Sequence, residues 1–432
     1  MVVPATRSAV ARIGRRVLAP LVLAAALATG PVQAQDADAE RWIPTWSASP
    51  QPVWAPDFIA PVNVPRALRD QTIRQIARLS LGGSEVRIEL SNEYGDEPLT
   101  IGAARVALAG EGSAILPDTD RVLTFGGRTS VTVPPGAPIV SDPVDLAIEP
   151  LGSVAVSLYL PEITPASTWH GEAVQTAYIG AAGDVTGAPE IAEATTVTSR
   201  LFLSEILVDA RPGARAIVTF GDSITDGTSS TPDANHRWPD FLAERLVEAG
   251  ANVAVVNQGI SGARVLRDRM GVNALARFDR DVLSHPHADT VILLMGINDI
   301  GWPGTLLTPK GEPAPSAEDI IGGYEQLIAR AHGNGMRIIG ATLTPFENTF
   351  EGNPLFGYYN EEKEAKRQAV NAWIRESGAF DGVIDFDAAV RDPANPKHIR
   401  AEFDSGDHLH PQDAGYEAMA DAVDLELLGV KP

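Results

Sequence analysis

Hydrophobic and polar positions alternate in the first half of the chain. Val86, Ile88 and Leu90 are separated by the charged residues Arg87 and Glu89, and this two-residue period predicts a strand with one buried face. Short hydrophobic stretches bounded by Gly- and Pro-rich turns predict further strands at residues 99–106, 121–125, 130–133, 144–148 and 153–160. Turns that recur roughly every 10 residues are typical of an all-β sandwich or jelly roll.

The second half of the chain has a different pattern. Continuous apolar runs predict strands at residues 217–220, 253–256, 290–295, 337–343 and 382–386. Amphipathic stretches predict helices at residues 238–249, 320–332, 361–377 and 414–428. Strands that alternate with helices form a doubly wound parallel sheet, because right-handed crossovers place helices on both faces. Residues 204–213 are predicted to bridge the two halves.

The N-terminus has the features of a secretory signal. Four arginines precede an apolar stretch at residues 17–28, and the whole segment contains no acidic residue. Residues 32–34 form a candidate cleavage site of the small-residue type. The apolar stretch is short and contains Pro20, so it predicts export to the periplasm or the medium of a bacterium rather than stable membrane insertion.

These patterns divide the chain into three segments. Residues 1–34 are predicted to be the signal peptide. Residues 35–203 are predicted to form the β domain, which begins with an ordered arm at about residues 36–66 that contains Trp42, Trp46 and Trp54. Residues 204–432 are predicted to form the α/β domain.

Composition narrows the possible partners. The chain has 34 basic and 56 acidic residues and a net charge of -22, which would become -26 after loss of the four arginines of the signal. This charge repels phosphate backbones, so we expect no nucleic-acid partner. The chain has no cysteine, which excludes disulfides, thiol nucleophiles and Cys-ligated zinc.

Candidate chemistry follows the first strand of the predicted parallel sheet. Ser223 comes directly after the apolar run and Gly221-Asp222, at the strand end where ligands bind in open α/β sheets. The serine could be a nucleophile or a helix cap. Near the C-terminus, the spacing of Asp407 and His410 allows the carboxylate to hold one ring nitrogen while the other faces Ser223.

Two further sites could donate hydrogen bonds to an oxyanion. Gly259 follows the second predicted strand and offers a backbone N–H, and Asn298 follows the third and offers a side-chain amide. Long connections at residues 302–316 and 346–360 are predicted to follow strands at the end where Ser223 lies. They are candidate pocket walls, because loops of this length are often functional.

Together these residues resemble the SGNH (GDSL-type) hydrolase family. The matching blocks occur in the family's order: Gly221-Asp222-Ser223, then Gly259, then Gly296-Ile297-Asn298-Asp299, then Asp407 with His410. The resemblance implies a flavodoxin-like three-layer α/β/α domain, with Ser223 as nucleophile, His410 as base and Asp407 as its orienter. It also implies an oxyanion hole formed by Ser223, Gly259 and Asn298, and it requires no cofactor and no metal ion.

The resulting hypothesis is an exported serine esterase that acts on short-chain, acetyl esters of carbohydrate. A β-rich partner before such a domain is similar to the arrangement in carbohydrate esterases. The alternative enzymes are a GDSL-type lipase, a lysophospholipase and an arylesterase. There are two non-enzymatic alternatives. One is a carbohydrate-binding protein with an inactive fold, and the other is a phosphate cradle at Gly221-Asp222-Ser223. A distance of more than about 8 Å between His410 and Ser223 would favour the phosphate cradle, because a base must lie within hydrogen-bond reach.

Other polar residues have less specific interpretations. The pair His285 and His287 has a spacing that could chelate a metal, but it lies in a predicted loop. His408 could tune His410 or be a solvated neighbour. Trp169 and His170 are predicted to pack in the core or at the contact between the two halves, and the alternative is an aromatic ring that stacks on a sugar.

Overall fold

A computed structural model of the chain describes Val2 and residues 42–54, 58–59, 62–351 and 357–430. The predicted signal at residues 1–34 lies, apart from Val2, outside the described residues. No helix within the described ranges is long and apolar enough to cross a membrane.

The first half of the described chain consists of strands, with a single 3₁₀ turn at Pro117–Thr119. The strands are β1 (Trp42–Ser47), β2 (Gln51–Pro52), β3 (Ala67–Leu68), β4 (Gln71–Arg78), β5 (Gly83–Ser91), β6 (Leu99–Ile101), β7 (Ala103–Leu108), β8 (Arg121–Val122), β9 (Val131–Val133), β10 (Pro138–Val140), β11 (Val144–Ile148), β12 (Ser153–Leu160), β13 (Thr164–Pro165), β14 (Thr168–His170), β15 (Ala177–Ile179), β16 (Thr195–Val197), β17 (Arg200–Leu201) and β18 (Leu203–Asp209).

Two antiparallel sheets dominate this region. One has the order β1-β18-β5-β10, with β11 also paired to β5, and the other has the order β16-β15-β4-β12-β7-β8. Val86, Ile88 and Leu90 of β5 are fully buried and belong to the same hydrophobic core as the inward side chains of β4 and β12. The predicted all-β architecture is confirmed.

Two segments predicted to be an arm and a bridge contain strands of the first sheet. Part of the predicted arm is β1, and most of the predicted bridge at residues 204–213 is β18; the two pair with each other in the first sheet. Both strands are buried on nearly every residue, so neither shows the alternation that marks a half-buried strand. Pro44 and a register shift between Pro44 and Trp46 further obscure the pattern of β1.

The second half is a parallel five-stranded sheet with helices between its strands. Its strands are β19 (Arg215–Gly221), β20 (Val253–Gly259), β21 (Ala288–Leu294), β22 (Arg337–Ala341) and β23 (Gly382–Ile384). The order is β20-β19-β21-β22-β23, which is the flavodoxin-like 2-1-3-4-5 order. The predicted fold class is therefore confirmed.

Eight α-helices accompany the described part of this sheet. They are α1 (Ser223–Asp226), α2 (Trp238–Glu248), α3 (Ala274–Phe278), α4 (Ile297–Gly301), α5 (Ala317–Gly333), α6 (Glu361–Glu376), α7 (Phe386–Val390) and α8 (Asp413–Asp421), and a π-helical turn at Asp279–Leu283 follows α3. The last helix ends at Asp421, so the prediction that it extends to residue 428 is wrong. The connection at residues 302–316 follows α4 rather than a strand.

The β-rich region and the α/β region share contacts at the strand β20. Ser80 Oγ accepts a hydrogen bond from the Val255 N–H at 2.9 Å, and Ser47 Oγ donates to the Asn257 carbonyl at 3.2 Å. By their contacts, residues 40–432 group into one unit. The division of residues 40–432 into two domains therefore remains a prediction. Residues 204–209 belong to the sheet of the β-rich region, because β18 pairs with β1 and β5.

Candidate active site

Ser223 lies just beyond the carboxyl end of the interior strand β19, as the first residue of the short helix α1. The preceding Asp222 caps this helix, accepting a hydrogen bond from the Ile224 N–H at 3.1 Å. Gly221 permits the tight turn, because a Cβ there would lie 2.6 Å from the carbonyl oxygen of Leu294 and still closer to Thr225. The helix cap and the close packing at Gly221 thus fix the backbone around the serine.

The three residues predicted to form a triad are adjacent in space. Ser223 Oγ lies 2.8 Å from His410 Nε2, and His410 Nδ1 lies 2.6 Å from Asp407 Oδ2. Ser223 is 5% exposed and His410 is 7% exposed. With its Nδ1 proton donated to the carboxylate, a neutral His410 presents Nε2 as an acceptor for the serine hydroxyl.

Local hydrogen bonds stabilise the ionised form of Asp407. Its Oδ1 accepts from the backbone N–H groups of Leu409 at 2.9 Å and His410 at 2.8 Å. Burial alone would raise the pKa of Asp407, but the hydrogen bond and charge of His410 hold it well below its ordinary value. Burial works to lower the pKa of His410, and the hydrogen bond and charge of Asp407 outweigh it, so this pKa is raised above 6.5.

The three predicted oxyanion donors differ in the hydrogen-bond acceptors that they contact in this structure. The Ser223 N–H lies in the first turn of α1, where a helix offers no acceptor of its own. Asn298, in α4, donates through Nδ2 to the Ala263 carbonyl at 3.0 Å and has a second amide hydrogen. The Gly259 N–H instead donates to the Asn257 side-chain oxygen at 2.8 Å, so this donor is engaged.

Gly259 is required by a close approach of the backbone. A Cβ at this position would lie 2.3 Å from the backbone nitrogen of Asp226, in α1. The strand β20 and the helix that begins at Ser223 can therefore pack this closely only with glycine at the contact.

Two buried aspartates near the site hold backbone rather than substrate. Asp299 accepts from the N–H groups of Val265 at 2.7 Å and Leu266 at 3.1 Å. Burial raises the pKa of Asp222 to about 7 and that of Asp299 to about 6.

The β-rich region contributes residues to this site that the sequence did not identify as such. Glu172, shortly after β14, accepts hydrogen bonds from Thr228 Oγ1 at 2.6 Å and Ser261 Oγ at 2.8 Å. Its charge is among those that raise the pKa of His410. His170 bonds to Asp226 at 2.9 Å, so the prediction that this segment packs at the contact between the halves holds, and it extends to the loop behind Ser223.

Arg277 is a second residue without a sequence signal. This fully buried side chain donates to the carbonyls of Gly221 at 2.9 Å and Gln258 at 2.9 Å, and forms an ion pair with Asp281 at 2.7 Å. It therefore ties together the ends of β19 and β20 that carry Ser223 and Gly259.

The remaining histidines have local partners. His285 is buried between Glu205 and Gln258, and His408 bonds to Asp404. Within the described part of the chain, no group of three or more His, Asp or Glu side chains is arranged to hold a metal ion.

Residues 219–418 match the model of the GDSL-like lipase/acylhydrolase family. The chain therefore carries a GDSL-like lipase/acylhydrolase domain. The matched range contains Ser223, Gly259, Asn298, Asp407 and His410, and the family supports a hydrolase activity. No curated protein matches the sequence.

Solved structures of low identity resemble about half of the chain. A GDSL-like lipase from Bacteroides thetaiotaomicron is 18% identical and covers 50% of this chain and 89% of its own, with a TM-score of 0.37. An alpha/beta hydrolase enzyme from the metagenome of Lake Arreo is 22% identical, covering 51% and 98%, with a TM-score of 0.38. An acetyl xylan esterase is 18% identical, covering 48% and 96%, with a TM-score of 0.35. These values say nothing about the substrate of this chain.

Proposed function

We propose that this GDSL-like domain is a serine esterase that hydrolyses carboxylic esters through an acyl-Ser223 intermediate. The observation that carries the proposal is the continuous hydrogen-bonded chain from Ser223 Oγ through His410 to Asp407, with contacts of 2.8 Å and 2.6 Å. Both distances lie within the reach needed for proton transfer.

In the acylation step, His410 Nε2 takes the hydroxyl proton as Ser223 Oγ attacks the ester carbonyl. The ionised Asp407 stabilises the imidazolium that forms. The imidazolium then gives its proton to the alkoxide leaving group, which departs as the alcohol and leaves an ester on Ser223.

Water completes the cycle by the same route. His410 takes a proton from water as it attacks the acyl-serine, and returns that proton to Ser223 Oγ as the carboxylic acid leaves. No other reactant is needed, so the products are one alcohol and one acid for each ester.

The proposed oxyanion donors are the Ser223 N–H, the free amide hydrogen of Asn298 and the Gly259 N–H. The first two can bind the developing charge directly. Gly259 can join them only by leaving Asn257 Oδ1, its acceptor in this structure. Each donor of this kind can contribute roughly 3 kcal/mol to lowering the barrier.

For the substrate, we propose short-chain, acetyl esters on carbohydrate. The β-rich region borders the site through Glu172, whose carboxylate contacts Thr228 and Ser261 beside the proposed catalytic residues. A carboxylate is a hydrogen-bond acceptor suited to hydroxyl-rich alcohols. A lipase, lysophospholipase or arylesterase is the alternative, although the net charge of -22 disfavours work on anionic membranes.

The non-enzymatic alternatives account less well for the site. A phosphate cradle at Ser223 needs no histidine nearby, whereas His410 lies at hydrogen-bond distance. An inactive carbohydrate-binding protein has no use for an ionised Asp407 that holds this histidine. We further propose that the protein is exported, with residues 1–34 as a signal peptide.

The test is hydrolysis of p-nitrophenyl acetate, butyrate and octanoate, beside acetate release from acetylated xylan, by the unsubstituted protein and Ser223→Ala. We expect acetate to be preferred, xylan to be deacetylated and both activities to be lost in Ser223→Ala. A preference for octanoate would move the proposal to a lipase. No serine-dependent turnover on any of these esters would refute the esterase itself.

A further inference from the structure

Tyr358 is a buried tyrosine in the long connection between β22 and α6. Its side chain is 1% exposed, and its hydroxyl donates a hydrogen bond to Asn298 Oδ1 at 2.8 Å. The contact spans 60 positions of sequence. It places a loop residue directly against the proposed oxyanion donor.

The Asn298 amide is consequently held at both ends. The Ala263 carbonyl can only accept, so it selects the nitrogen end of the amide. The Tyr358 hydroxyl then satisfies the oxygen end. Burial raises the pKa of Tyr358 well above 10, so this hydroxyl keeps the proton that it donates. One amide hydrogen of Asn298 is left for a ligand.

The position of the tyrosine ring is itself fixed by packing. A Cβ at residue 301 would lie 2.3 Å from the ring carbon Cε1, so only Gly301 leaves room for Tyr358 beside α4. Phe346 and Phe350 pack edge to face against the ring, with centroids 6.1 Å and 5.5 Å away. Such contacts restrict both the tilt and the rotation of the ring.

A buried lysine fixes the backbone beside the tyrosine. Lys363 Nζ donates to the carbonyls of Gly301 at 2.7 Å and Pro303 at 3.0 Å, and also to the carbonyl of Gly357. It therefore joins the residue before Tyr358 to the end of α4, the helix that carries Asn298.

We propose that Tyr358 is a positioning residue that holds the Asn298 amide in the orientation needed to bind the oxyanion. The inference rests on the proposed function, because it assumes that Asn298 stabilises a tetrahedral intermediate. An amide bonded at one end only can pivot about its Cβ–Cγ bond. Without the hydroxyl, the donor is less well preorganised and Asn298 Oδ1 is buried without a partner.

The experiment compares Tyr358→Phe with Tyr359→Phe on p-nitrophenyl acetate. The control removes a neighbouring hydroxyl whose hydrogen-bond partners, among the residues that the structure describes, are Glu347 and Glu361, both at 3.3 Å. For Tyr358→Phe we expect kcat to fall about tenfold, less than the roughly 10²–10³-fold loss typical when an oxyanion donor itself is removed. KM should not change, since the interaction forms only in the transition state.

A double-mutant cycle separates positioning from general loss of structure. In an Asn298→Ala background, Tyr358→Phe should cause no further loss of kcat, because the amide that it positions is absent. Binding of a boronic acid, which forms a tetrahedral adduct with the serine, should weaken in Tyr358→Phe by the same factor as kcat.

The outcomes distinguish this inference from the proposed function. An active parent protein with kcat unchanged in Tyr358→Phe, or with an equal loss in the presence and absence of Asn298, would overturn the positioning role alone. Absence of Ser223-dependent turnover in the parent protein would overturn the proposed function and the positioning role with it.

Discussion

His170 Nε2, in the β-rich region, lies 2.9 Å from Oδ1 of Asp226, three residues beyond Ser223. The other ring nitrogen lies 3.1 Å from the carbonyl oxygen of Ser49, which can only accept. Protonated His170 can therefore donate from both nitrogens, and although burial works to lower its pKa, the charge and hydrogen bond of Asp226 outweigh this effect and raise it. Asp226 Oδ2 accepts in turn from the Ser261 N–H at 2.9 Å and lies 2.9 Å from the Ser261 hydroxyl oxygen, so the pair connects the β-rich region to the loops around the site.

This buried pair predicts a large stability effect. The side chains of His170 and Asp226 are 6% and 3% exposed. Removing one partner of a buried ion pair leaves an uncompensated charge, so His170→Ala should lower the free energy of unfolding by about 3–5 kcal/mol. Urea denaturation measures this change.

The matched control is a more exposed His–Asp pair of the α/β region, His236 with Asp413. Its side chains are 40% and 31% exposed, and solvated pairs contribute only about 0–1 kcal/mol. If His170→Ala and His236→Ala destabilise the protein equally, the buried pair does not have the role assigned to it.

The pH dependence of esterase activity should follow His410. This histidine must be neutral to accept the serine proton, and its pKa is raised above 6.5 despite burial, by Asp407 first and by Glu172 and Asp222 to a smaller extent. We therefore expect kcat/KM to rise with pH through a midpoint above 6.5. Asp222, whose own pKa is about 7, adds its charge across the same range.

Glu172→Gln should move this midpoint to lower pH. The substitution keeps the shape of the side chain that contacts Thr228 and Ser261 and removes one negative charge near His410. Glu190→Gln, at an exposed position of the same region, should leave the midpoint unchanged because solvent and salt screen its charge. An unchanged midpoint in Glu172→Gln would show that its charge does not reach the base.

Two adjacent glycines in α5 should respond oppositely to alanine. A Cβ on Gly322 meets no atom within 4 Å, so Gly322→Ala should stabilise the helix by about 0.5–1 kcal/mol. A Cβ on Gly323 would lie 2.6 Å from Val265 Cγ1, so Gly323→Ala should be destabilising, since overpacking typically costs roughly 1–3 kcal/mol. Thermal unfolding of the two variants measures the change in stability. A change of the same sign in both variants would contradict the close packing of α5 against Val265.

The parallel sheet could be predicted from the sequence because its strands are covered on both faces. The run at 216–220 is apolar except for Thr219 and ends at Gly221, which locates both β19 and the turn that presents Ser223. The pattern did not identify β1 and β18 as strands of the β-rich region, although both are also buried on two faces. They lie in an antiparallel sheet, where we expected hydrophobic and polar positions to alternate.

Contacts between distant segments could not be predicted from spacing. Asp407 and His410 are three residues apart, so their bond is a local possibility that the sequence makes visible. Tyr358 meets Asn298 across 60 positions and Arg277 meets Gly221 across 56. Only the fold brings such pairs together, and neither Tyr358 nor Arg277 has a sequence pattern that marks it.

The most direct test of the central claim is the site of covalent labelling by a fluorophosphonate, which reacts with an activated serine and remains attached. Intact mass followed by peptide mapping should give one adduct per chain, located on Ser223, and His410→Ala should greatly slow its formation. Labelling at another residue, or ester hydrolysis that persists in Ser223→Ala, would contradict the account.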